Sequence, residues 1–129
     1  MRRVLFLPAL FLVLTAPLAA LAAPEPMPTS IPGTYWSLLS LTAKGEKPVD
    51  AQNPADVELT KKGGWGILHY GGHREAGSYT IKGDRMIWKS EDGSIYGDFK
   101  IVWKKNERIL ELHTNTDIMR LRFLKTINY

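Results

Sequence analysis

Along residues 75 to 103, EAGSYTIKGDRMIWKSEDGSIYGDFKIVW, apolar and polar residues alternate. Tyr79, Ile81, Met86, Trp88, Phe99, Ile101 and Trp103 fall on one side, and Ser78, Thr80, Arg85, Lys89, Asp98 and Lys100 on the other. A period of two is the mark of strands with one dry face and one wet face. The split continues with Leu110 and Leu112 against Glu111, then with Met119, Leu121 and Phe123 against Arg120 and Arg122.

Eight short runs have this character, at 34–42, 56–60, 65–70, 77–82, 85–89, 94–103, 108–114 and 118–125, rich in Val, Ile, Thr, Tyr, Phe and Trp. KGD (82–84) and EDG (91–93) predict hairpin turns, because Gly and Asp tolerate the backbone angles of tight connections. KKGG (61–64), KKNE (104–107) and NTD (115–117) predict further turns, and only 43–55 makes a longer link. No internal repeat and no useful 3.6-residue period is present. Short hairpins without a long return favour an all-β, eight-stranded antiparallel up-and-down β-barrel over a Greek-key sandwich, and closure removes exposed edges.

The amino terminus changes the picture of where such a barrel works. Arg2 and Arg3 precede an apolar run that ends in Ala19, Ala20, Ala22 and Ala23. Charge, then hydrophobe, then small residues predict a secretory signal peptide over 1–22 and a periplasmic or secreted protein. Residues 23–33 hold four prolines and read as a flexible or extended arm ahead of a domain at 34–129. With no cysteine, disulfides, thiolate chemistry and Cys-ligated metals are excluded, so the core alone must hold the fold. The net charge of +4 includes Arg2 and Arg3, and the other basic residues are scattered, which argues against a nucleic-acid partner. No membrane span is expected after cleavage, and a monomer is expected.

The GTYW opening of the first strand, the GSYTIKGDRMIW hairpin and the basic residue in MRLRF together resemble the small bacterial lipocalin-like members of the calycin group, over residues 33–124. In that group a Gly-x-Trp motif sets a Trp at the barrel floor, beneath a basic side chain from the last strand. The resemblance gives Gly33 and Trp36 these structural places, although two residues separate them here, and gives the basic role to Arg120 or Arg122. The chain is shorter than typical lipocalins and lacks their C-terminal helix. A second resemblance covers the first half only: YWSLLSLTAKGEKPV followed by GGHREAGSYTIKGDRM is similar to META-type domains, whose Cys motifs have no counterpart here.

A barrel of eight strands is just wide enough to be filled by side chains or to hold one small ligand. Trp36, Trp65, Tyr79, Met86 and Trp88 are therefore candidates for a ligand-binding lumen. So are Phe99, Ile101, Trp103 and Phe123, and the bulky rings among them are also able to plug the space themselves. Ile67 and His69 join the lumen if Trp65 faces inward, a register that Gly64 and Gly66 leave open. Glu58, Asp98 and Glu111 sit at outward positions and read as solvated surface.

No serine elbow, phosphate loop or His-Glu helix pair points to catalysis, and no cofactor is expected. The expectation is a non-enzymatic binding protein holding a small hydrophobic molecule. The alternative is a protein-binding module, such as a secreted-protease inhibitor, acting through its arm and the glycine-rich loops at 63–66 and 70–73. A metal binder using His69, His73 and His113 ranks third, since HYGGH matches no strong metal spacing and no metal ligand is assigned.

Overall fold

The computed structural model describes residues 24–49 and 54–129. The expected signal peptide lies outside the described residues. Eight strands follow in order: β1 Thr34–Ala43, β2 Ala55–Leu59, β3 Gly64–His69, β4 Arg74–Lys82, β5 Arg85–Ser90, β6 Ile95–Lys104, β7 Ile109–His113 and β8 Asp117–Thr126. Each pairs antiparallel with the next, and β8 returns to β1, from Thr34↔Thr126 to Ala43↔Asp117. The expected up-and-down barrel is therefore closed. No described helix is long and apolar enough to cross a membrane.

The alternation places its dry face inside. Trp36, Met86, Trp88, Leu110, Leu112 and Leu121 are fully buried, and Val57, Phe99 and Phe123 pack with them in one cluster. Each such side chain contributes about 1.5–3 kcal/mol by leaving water, which is how a chain without cysteine holds a small fold. Ile81 departs from the pattern and is exposed, because β4 reaches the barrel rim there. At the β4–β5 hairpin Gly83 has φ 59°, the positive angle that primed two-residue turns need.

Two segments differ from expectation. KKNE is a 3-10 helix, Lys105–Glu107, that ends on Arg108 in the left-handed conformation with φ 60°. The proline-rich arm is docked onto the barrel. Ile31 is 3% exposed within the core cluster, and Met27 packs beside it. Trp36 Nε1 donates to Thr34 Oγ1 at 2.7 Å, and Thr34 Oγ1 donates to the Ile31 carbonyl at 2.5 Å. Glu25 accepts from the backbone N–H and hydroxyl of Thr126 at 3.0 and 3.1 Å. Proline prevents a strand here, but the apolar Ile31 still finds the open floor of the barrel.

Candidate functional site at the barrel mouth

Both described chain ends and the β2–β3, β4–β5 and β6–β7 connections gather at the floor, so the β1–β2, β3–β4, β5–β6 and β7–β8 connections form the opposite end, the mouth. The floor is sealed by Trp36, whose ring meets Phe123 edge-on at 5.3 Å and Trp103 at 6.4 Å. The cation over this cluster is Arg108, 5.4 Å from the Phe123 ring. Arg120 instead donates to Glu111 at 3.2 Å, and Arg122 is exposed on the outer face. The basic side chain over this cluster thus comes from Arg108, which has φ 60° in the turn before β7, and not from Arg120 or Arg122 on β8.

The register that the glycines left open is settled by pairing. Trp65 faces Leu59 and Ile67 faces Val57, so Trp65, Ile67 and His69 share the inner parity of β3. The remaining lumen candidates Tyr79 and Ile101 are also buried, and Trp103 is partly buried against the same cluster.

At the mouth a continuous chain of contacts runs from the rim into the core. His69 Nε2 lies 2.9 Å from Glu75 Oε2, and Glu75 Oε1 accepts from the Tyr96 hydroxyl at 3.2 Å. The Tyr96 ring sits 4.6 Å from Trp65, which stacks on Trp88 at 4.8 Å. Trp88 meets Phe99 edge-on at 5.2 Å. Trp65 Nε1 donates to the Lys89 carbonyl at 2.9 Å, whereas Trp88 Nε1 is buried and has no hydrogen-bond partner among the described residues. Burial, followed by the neighbouring Glu75 carboxylate, pushes the Tyr96 phenol up to about 12, so it stays a donor at neutral pH. Trp65 and Tyr96 line an open groove of about 400 Å³, bordered by Arg74, Glu75, Glu91 and Asp92.

Sequence reasoning missed both Glu75 and Tyr96. Glu75 precedes the run expected at 77–82, but β4 begins at Arg74 because Leu68 pairs with Arg74 and Ile67 with Glu75. Pairing overrides the weak strand propensity of Glu and Ala. The parity of Glu75, Gly77 and Tyr79 was the available signal. Tyr96 falls at a bulge: Trp88 faces Gly97 while Lys89 faces Ile95, so Tyr96 is the extra residue and swings over Trp65.

His73 lies beyond the Gly71–Gly72 turn, with its ring centroid 5.2 Å from that of His69. The His69 amide donates to the His73 carbonyl at 2.9 Å, which fixes the two backbones together. His69, His73 and Glu75 each offer a ligand atom within 4.8 Å of the others. His113 is not part of this group. It is on the outer face, 2.9 Å from Glu111, and although burial opposes ionisation of Glu111, its bonds to His113 and Arg120 hold that carboxyl below its ordinary value.

The outer-face carboxylates also differ from one another. Asp98 is exposed and bound to Arg85, as a solvated position should be. Glu58 is not solvated: it is 6% exposed, held by Arg74 at 2.6 Å and by the Tyr129 hydroxyl at 3.2 Å. Its cross-strand neighbour is Gly66, where an added Cβ would stand 2.9 Å from Oε1. The absence of a side chain at Gly66 lets Glu58 lie flat on the sheet.

What the fold defines is a closed eight-stranded antiparallel barrel with a sealed floor and an aromatic, polar-rimmed mouth. Compared with known proteins, the chain matches no family model, no curated protein and no solved structure.

Proposed function

We propose that this is an exported, non-enzymatic binding protein of lipocalin-like build that takes a small amphipathic molecule at the barrel mouth. The observation that carries this reading is the exposed Tyr96 ring, backed by the buried Trp65 at 4.6 Å, at an open groove beside Arg74 and Glu75. The expectation of a deep luminal ligand is narrowed accordingly, since the interior rings of Trp36, Trp88, Phe99 and Phe123 pack on one another. A flat apolar portion of the ligand would stack on Tyr96, and its polar end would meet the charged rim.

The test is native mass spectrometry of protein purified from its own source, against the denatured mass, followed by fluorescence titration with flat amphipathic compounds and fatty acids. An adduct lost in Tyr96→Ala supports mouth binding. A clean mass and no change in tryptophan emission with any ligand would refute it.

A second reading, a protein-binding module, is favoured by one feature. Leu41, Val49, Tyr70 and Ile95 are exposed apolar side chains on strand ends and connections at the mouth. The arm-led inhibitor version is weakened because Ile31 and Glu25 are engaged by the barrel. Mixing with secreted proteases should leave their activity unchanged, and inhibition abolished by loss of residues 24–30 would reverse that ranking.

A further inference from the structure

We infer that His69, His73 and Glu75 form a binding site for a divalent ion of the zinc class at the barrel mouth. The inference stands independently of the small-molecule reading. It rests first on geometry. Two ligands around a tetrahedral zinc, with bonds of about 2.0–2.1 Å, lie about 3.3 Å apart, and His69 Nε2 and Glu75 Oε2 are already 2.9 Å apart. The ligand atoms of all three residues fall within 4.8 Å.

The third ligand is free to close in. His73 is exposed on a turn where Gly72 has φ 98°, so a side-chain rotation completes the set while the His69–His73 backbone bond stays in place. The donor set also selects the ion. Two imidazoles and one carboxylate suit Zn²⁺, Cu²⁺ or Ni²⁺, whereas Ca²⁺ and Mg²⁺ require shells made of oxygen. One carboxylate leaves the ion with net positive charge, and three protein ligands leave a fourth position for water or an external anion.

The surroundings are those of a supported site. Tyr96 donates to the oxygen of Glu75 that does not face His69, so the carboxylate is oriented from behind. Such outer partners typically contribute about 10–100-fold in metal affinity. His69 and Glu75 sit on β3 and β4, adjacent strands of a closed barrel, which holds their separation.

The experiment is calorimetric titration of untagged, metal-free protein with Zn²⁺ at neutral pH, with Co²⁺ as an optical probe of coordination. The expected result is one saturable ion per chain, four-coordinate Co²⁺ bands, and no displacement by excess Mg²⁺. His73→Ala and Glu75→Gln should each weaken binding by about 10-fold or more, and Tyr96→Phe by a smaller factor. His113→Ala should bind as the unaltered protein does. His73 is exposed and makes no core contact, so loss of binding in His73→Ala is not a folding defect. The inference is overturned if no saturable Zn²⁺ binding occurs, if His73→Ala and Glu75→Gln bind normally, or if His113→Ala removes the site.

Discussion

Replacing Gly77 with alanine tests the packing that holds the mouth together. An added Cβ would stand 1.9 Å from the Lys89 carbonyl oxygen and 2.6 Å from Trp65 Nε1. Ordinary contact begins near 3.4 Å, so β4 and β5 must part locally by about 1.5 Å. Overpacking of this kind costs about 1–3 kcal/mol. The same movement breaks the Trp65 N–H bond to Lys89, and a buried donor left unpaired adds about 1–3 kcal/mol. The two costs overlap, and the expected loss is about 2–5 kcal/mol of a total that for such domains is about 5–15 kcal/mol. Melting should fall by about 10 °C or more. Urea unfolding followed by tryptophan emission reads the loss directly, because Trp65 stacks on Trp88 and reports on the same region. Gly71→Ala is the control: that position is exposed with nothing within 4 Å of an added Cβ, and should change stability by less than about 0.5 kcal/mol. A Gly77→Ala loss no larger than the control would refute the reasoning.

Ile31→Ala should cost about 2–4 kcal/mol in urea unfolding, as a core side chain would; an unchanged midpoint would mean that the arm is not part of the floor. Burial pushes the phenols of Tyr79 and Tyr96 up to about 12. Both folded values lie above the unfolded value of 10.0, so their contribution is complete below pH 10 and is lost as pH rises toward 12. Phenolate absorbance should lag in the folded protein and appear in step with unfolding. The Glu111 carboxyl is held below its ordinary 4.5, so its contribution is present above that value and disappears as pH falls through the lowered one. The stability gap between the unaltered protein and Glu111→Gln should shrink in acid, and a constant gap from neutral pH downward would contradict the pairing with His113 and Arg120.

Side-chain parity carries a long way in this chain and then fails at identifiable places. A one-residue offset reverses every side chain that follows it, so the bulge opposite Trp88 hides Tyr96 from any reading that counts alternate positions. Glu58 was misplaced for another reason: parity gives it the outer face correctly, but exposure depends on Gly66, Arg74 and Tyr129, which lie on other strands and in the tail. Arg108 shares the parity of the dry-face Leu110 and Leu112, but its charge reads as surface, and the left-handed backbone it adopts there has no compositional marker.

By itself the amino-acid order determined eight strands, their antiparallel succession, the turn positions and the identity of the dry face, because these depend on residues near one another in the chain. Only the tertiary structure decided the docking of Ile31 in the floor, the cation over Phe123 and the meeting of His69, His73, Glu75 and Tyr96 at the mouth. Those depend on strand register and barrel closure, where hydrogen bonds between distant segments set which side chains meet.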